Sequence, residues 1–149
     1  IRLIAVFGFF LCMTMAQEYK AVDELNIPNY MGKWYQVYGD NFNKIFQGNG
    51  RCSTADYILQ DDNTVYVLNK QIDPDNSIDK ISGTAFYKGD DCCGYLTAKL
   101  DDKHDAPYWV LKLGPIVDDL YDYSIVSDDK AISLFVLTRN VDRFYKEVK

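Results

Sequence analysis

Histidine is nearly missing from this sequence: His104 is the single copy among 149 residues. No Cys-x-x-Cys pair occurs either, so the ligand spacing that closes a zinc site is lacking, and so is the imidazole that commonly activates a nucleophile. His104 lies among Asp101, Asp102 and Asp105, a composition that reads as a solvated turn. The nearest approach to a calcium loop is Asp73, Asp75, Ser77 and Asp79, with Ile78 where the sharp turn needs Gly and Thr84 where a bidentate Glu belongs. No metal, no other cofactor and no catalytic residue is expected. A surplus of positive charge is also lacking. Lys and Arg number 16 against 22 Asp and Glu, a formal −6, and without a basic cluster the phosphate neutralisation that supplies most nucleic-acid affinity has no source. Nucleic acid is excluded as a partner, and anionic membrane surfaces are disfavoured for the same reason. No Asn-x-Ser/Thr acceptor occurs.

Long apolar runs are scarce. Residues Ile1 to Leu11 are apolar apart from Arg2 and lead through Cys12-Met13-Thr14-Met15-Ala16 into Gln17-Glu18. This is the pattern of a signal-peptide hydrophobic region with cleavage after Ala16, and it is too short to cross a bilayer, which takes roughly 20 apolar residues. The expected organisation is a signal peptide over 1–16 and one domain over 17–149, secreted, extracellular and without a membrane span. Ile1 stands where a start Met would be, so the natural chain is expected to begin earlier. Cys12 would leave with the signal peptide. Cys52, Cys92 and Cys93 remain, an odd count that points to a free thiol, an intermolecular bridge or a partner outside this sequence. Adjacent cysteines such as Cys92-Cys93 rarely bridge each other, because the geometry strains the peptide between them.

What is abundant is strand signal. Gly32-Lys33-Trp34-Tyr35-Gln36-Val37-Tyr38 reads as a turn feeding a first strand with a large aromatic at its start. Asp40 to Gly50 reads as a long loop in which Phe42 and Phe46 can cap what lies beneath. Further strands are expected over 52–59, 64–72, 78–88, 95–100, 107–113, 120–127 and 132–139, with Gly83 a candidate bend or bulge. The fold class is therefore all-β, an eight-stranded antiparallel up-and-down β-barrel. After it the period changes. Val141, Phe144, Tyr145 and Val148 recur at helical spacing behind Asn140 as an N-cap, so a C-terminal α-helix starts there and is expected to continue past Lys149. An Arg closing the apolar strand that ends at Arg139 wants a counter-surface. The Trp34 indole is a good one, worth about 0.5–2 kcal/mol when shielded, although the two residues can also be unrelated.

Gly32-Lys33-Trp34-Tyr35, the succession of eight strands and Leu137-Thr138-Arg139 opening into a helix, all behind a secretion signal, resemble the lipocalins. The likeness covers nearly all of 23–149. It is nearest to the branch of apolipoprotein D, bilin-binding and bacterial lipocalins, whose sequences look like Gly50-Arg51-Cys52 before Ala55-x-Tyr57, Val67-Leu68-Asn69, Pro107-Tyr108-Trp109-Val110-Leu111 and Tyr123-Ser124-Ile125-Val126. One block departs: the family's Thr-Asp-Tyr falls at Asp118-Asp119-Leu120, after Gly114-Pro115, so a differently shaped loop is expected there.

The resemblance implies a barrel closed at one end by a structural pair, Trp34 and Arg139, and hollow enough for one small hydrophobic ligand. The ligand classes implied are sterol, fatty acid, retinoid, carotenoid or tetrapyrrole. It also implies a disulfide from Cys52 to a cysteine beyond the end of this sequence. With Trp34 and Arg139 inward, alternation places Gln36 and Tyr38, then Leu137, Phe135 and Ser133, on the inner face. For the second and third strands the inward sets chosen are Ala55, Tyr57 and Leu59, and Val65, Val67, Asn69 and Gln71. The expected ligand-binding residues are Gln36, Tyr38, Ala55, Tyr57, Leu59, Val67, Asn69, Phe135 and Leu137, with Tyr57 and Asn69 as polar handles. Asn69 and Phe135 match pocket positions of apolipoprotein D-like proteins. Two other readings stand beside the carrier. One is a pigment-complex or other interaction subunit using the open-end loops around Phe42 and Phe46. The other is an isomerase acting through Cys52, which lacks a base to pair with. Oligomeric state is left open.

Overall fold

Alternating β-branched and aromatic residues make the strands, and the strands close on themselves. The computed structural model describes residues 19–39, 50–89, 93–101 and 104–148. A single helical turn, α1 (Ile27–Tyr30), leads into β1 (Gly32–Gly39), β2 (Arg51–Leu59), β3 (Val65–Ile72), β4 (Ile78–Tyr87), β5 (Tyr95–Leu100) and β6 (Ala106–Leu113). A small hairpin follows, β7 (Ile116–Val117) and β8 (Leu120–Tyr121), before β9 (Tyr123–Ser127), β10 (Leu134–Thr138) and the helix α2 (Val141–Glu147). The barrel order is β1-β10-β9-β6-β5-β4-β3-β2, with β2 returning to β1, so eight antiparallel strands close and leave no free edge. This is the expected architecture. The signal-peptide stretch, Phe42, Phe46, Cys12 and Cys92 lie outside the described residues.

The segment expected as one strand over 120–127 is two, β8 and β9, parted at Asp122. Asp118 and Asp119 both take positive φ, 51° and 63°. Two such residues in succession make the tight two-residue turn whose twist suits a hairpin, and the hairpin they form, β7 with β8, stands outside the barrel sheet. Gly83 is not a bulge, because β4 pairs without a shift on both sides of it. It is a close approach: a Cβ there would meet the Lys99 carbonyl oxygen at 2.0 Å. The irregularities lie elsewhere, between Gln36 and Tyr38 in β1, Arg51 and Thr54 in β2, and Val110 and Lys112 in β6.

The helix α2 begins as expected, the Asn140 side chain accepting a bond from the Arg143 amide at 2.9 Å. One of its ties to the barrel is ionic. Arg143 donates through Nε at 3.2 Å and through Nη2 to the carboxylate of Asp122, which is only 5% exposed. That carboxylate holds the Arg143 guanidinium above its ordinary pKa.

Candidate functional site

At the closed end, Trp34 is fully buried and the Arg139 guanidinium lies 3.6 Å from its ring centroid. The arginine also gathers the backbone around it. Its Nη1 donates to the Lys33 carbonyl at 2.6 Å, Nη2 to Tyr30 at 3.0 Å and Met31 at 2.6 Å, and Nε to Tyr121 at 3.3 Å. The indole Nε1 donates to the same Tyr30 carbonyl at 2.9 Å. Burial draws the Arg139 pKa down to about 10, so it stays a cation at neutral pH. Gly32 turns into this junction with φ +91°, and a Cβ there would come 3.4 Å from Arg139 Nη1. The pair expected from the sequence is thus a lock between the first and last strands of the barrel.

Above the lock the barrel is hollow. A cavity of about 550 Å³ is continuous in its lining with a smaller chamber of about 70 Å³ beside α1, since Tyr57, Asn69, Ala98, Leu100 and Tyr108 wall both. Of the residues placed inward by alternation, Gln36, Ala55, Tyr57, Asn69, Phe135 and Leu137 line the large cavity. Val67 lines the small one. Ser133 and Gln71 also reach the large cavity.

Two expected positions do not. Tyr38 is 52% exposed because β1 carries a bulge: Gln36 faces Leu137 across the pair, whereas Tyr38 faces Val136. One extra residue inverts the alternation and turns Tyr38 outward. Leu59 is 40% exposed. It ends β2 opposite Val65, next to the turn over 60–64, and lines neither chamber.

The sequence reading also missed three polar residues at the floor. Tyr30 OH lies 2.9 Å from Ser124 Oγ and 3.0 Å from Tyr108 OH, which lies 3.0 Å from Tyr57 OH. The rings pack together, Tyr30 stacking on Tyr57 at 5.8 Å and Tyr57 meeting Tyr108 edge-on at 6.4 Å. Burial pushes Tyr30 up to about 12, and raises Tyr57 and Tyr108 as well. Alternation of Ala106, Tyr108 and Val110 in β6 could have placed Tyr108 inward. For Tyr30 the available signal was Asn26 capping a turn that contains Pro28: the Asn26 side chain accepts from the Asn29 amide at 3.3 Å.

The sequence that builds this closed eight-stranded barrel, with an Arg over a Trp at its base and a hollow above them, matches a family model. The model for a lipocalin-like domain covers residues 25–147. The chain is a lipocalin. It is similar to temperature-induced lipocalin-1 of Arabidopsis thaliana, 30% identical over 151 residues that cover 91% of this chain and 76% of that protein. The outer membrane lipoprotein Blc of Vibrio cholerae is 27% identical over 129 residues, 86% of this chain and 72% of its own. Apolipoprotein D of Cavia porcellus is 31% identical over 96 residues, 60% of this chain and 46% of its length, so the match spans about half of that relative. Among solved structures, lobster apocrustacyanin A1 superposes with a TM-score of 0.59 at 17% identity, covering 88% of this chain and 82% of that one. The tryptamine complex of the amine binding protein of Rhodnius prolixus does so at 0.55 and 19% identity, covering 85% and 74%. At such identities the structural likeness shows the shared fold.

The lipocalin's Cys52 is exposed and free, with φ +55° beside the β2 irregularity, and it does not line the cavity although Ser53 and Thr54 do. Cys93 is disulfide-bonded. Among the described residues no helix is long and apolar enough to cross a membrane, and no group of His, Cys, Asp and Glu could hold a metal ion.

Proposed function

We propose that this lipocalin is a secreted carrier that holds one small hydrophobic ligand inside the barrel, of the sterol, fatty-acid, retinoid, carotenoid or tetrapyrrole class. In this reading residues 1–16 act as the signal peptide and 17–149 as the carrier domain. The single observation that carries the proposal is the cavity of about 550 Å³, within the range of small-molecule sites, whose lining combines apolar residues such as Phe135 and Leu137 with Tyr57, Asn69 and the charged Lys70, Asp79 and Asp128. Covering roughly 300 Å² of ligand hydrocarbon contributes about 7 kcal/mol at 25 cal/mol per Å² before association costs. Micromolar affinity is the expectation.

An isomerase reading is less well supported: Cys52 faces solvent outside the cavity, and His104 sits exposed on a loop. A bridge from Cys52 to a cysteine beyond this sequence remains part of the carrier proposal, and iodoacetamide labelling of the full-length protein tests it. A protected Cys52 supports the bridge, and rapid modification removes it. The carrier itself is tested by native mass spectrometry of protein purified from its own source. The expected result is a small-molecule adduct lost on denaturation. A bare mass, together with failure of any of the five ligand classes to raise the melting temperature, would sink the proposal.

A further inference from the structure

Ser124, Tyr30, Tyr108 and Tyr57 form an unbroken row of hydroxyls in that order, with O···O separations of 2.9, 3.0 and 3.0 Å. Each hydroxyl carries one proton, and each bond in the row consumes one. Four protons and three bonds leave one proton over.

Ser124 is a poor place for it. The residue is fully buried, Tyr30 OH is its side-chain partner among the described residues, and a buried donor with no acceptor costs about 1–3 kcal/mol. Ser124 therefore donates to Tyr30. In the arrangement where each inner hydroxyl accepts once and gives once, neighbouring bonds polarise and strengthen one another. Tyr30 then donates to Tyr108 and Tyr108 to Tyr57, and the spare proton emerges on the Tyr57 hydroxyl. Tyr57 lines both chambers. The row thus begins at a sealed serine and ends at the cavity wall, offering the hollow a donor in need of an acceptor.

The surroundings decide what kind of acceptor fits. Burial raises all three phenols even though the Arg139 charge pulls Tyr30 and Tyr57 downward, so the floor disfavours a negative charge. An alcohol or an amine can accept that proton as well, but it brings a proton of its own that then needs an acceptor, which a carbonyl does not. Building on the carrier reading above, we propose that the ligand's inner end is a neutral carbonyl oxygen, of a ketone, an aldehyde or a quinone, which accepts the proton of the Tyr57 hydroxyl.

The matched probes β-ionone and β-ionol, which differ only in carbonyl against alcohol, test this by displacement of anilinonaphthalene sulfonate from the full chain. The ketone should bind roughly tenfold more tightly, the factor expected when the alcohol's own proton is left without an acceptor. The infrared carbonyl stretch of bound β-ionone should lie below its value in hydrocarbon, as a hydrogen bond requires. Tyr57→Phe alone passes the end of the row to Tyr108, which also lines the large cavity, and should weaken the preference only in part. Tyr57→Phe with Tyr108→Phe moves the last donor back to Tyr30, which walls the small chamber and not the large cavity, and should abolish both the preference and the infrared shift of a probe seated in the large cavity. Equal binding of the two probes, or a bound carbonyl that absorbs as it does in hydrocarbon, overturns the inference and leaves the carrier standing. Displacement by neither probe overturns the inference, and the carrier then stands or falls on the mass-spectrometric test above. The infrared measurement on the unmodified protein holds even where a double variant folds poorly.

Discussion

Arg139 holds its place through four hydrogen bonds to backbone carbonyls as well as through the indole beneath it. A lysine keeps the charge but not the planar fork that reaches all four. Arg139→Lys should therefore destabilise the fold by about 2–3 kcal/mol, the cost of leaving partly buried carbonyls short of donors, read as a lower urea midpoint. A loss under 0.5 kcal/mol would reduce the lock to a surface contact. At the cavity, Phe135→Asp should weaken binding of a fluorescent fatty acid at least tenfold, since it sets a carboxylate on an apolar wall. Tyr38→Asp and Leu59→Asp should leave that affinity within about twofold, because both side chains stand outside the hollow. Equal losses in all three variants would place the ligand elsewhere. The partnership of Trp34 and Arg139 was suggested by an isolated cation ending an apolar strand, left open by the residues alone, and implied by the resemblance to lipocalins. The hydroxyl row was not, because the meeting of Tyr30, Tyr57, Tyr108 and Ser124 depends on how three strands and a helical turn curve towards one point.

Strand existence was read well and strand irregularity poorly. Periodicity locates a run of alternating residues, but the bulge between Gln36 and Tyr38 is a matter of pairing with β10, which no property of β1 taken alone announces. The β7–β8 hairpin likewise arises from two aspartates in the left-handed region, where Asp is tolerated without being required. The helix α2 could be read from its cap and its apolar spacing, while its anchor, Asp122 between β8 and β9, could not. Arg143→Ala removes the partner of that buried carboxylate and should lower the urea midpoint, by less than loss of a fully buried pair would because Arg143 is itself partly exposed. Hydrogen exchange should show the loss first in the amides of α2, which bury no residue of their own. Unchanged protection there would mean that ring packing, Tyr123 against Phe144 at 6.2 Å, suffices to hold the helix.

The barrel as a body should respond to alkali more than to neutral salt or mild acid. Tyr30 ionises at 10.0 in its ordinary state and is pushed up to about 12 by burial. The folded chain thus keeps a proton that the unfolded chain releases, so this stabilisation is whole below pH 10 and disappears as pH rises through about 12. Circular dichroism melts should give a constant midpoint from neutral pH to near 10 and a steep fall beyond it, blunted in Tyr30→Phe. A midpoint that declines evenly from neutral pH would show that the phenols are wet.

The sequence by itself determined the class of fold, the strand positions to within a few residues and most of the inward face, and its resemblance to lipocalins implied the closed-end pair. The first three follow from local alternation. Only the tertiary structure decided that Tyr38 turns outward, that Leu59 lines neither chamber, that Asp122 receives Arg143, and that four hydroxyls from distant segments line up on the cavity floor. Those outcomes depend on register, curvature and closure, which are set jointly by all the strands as they share one core.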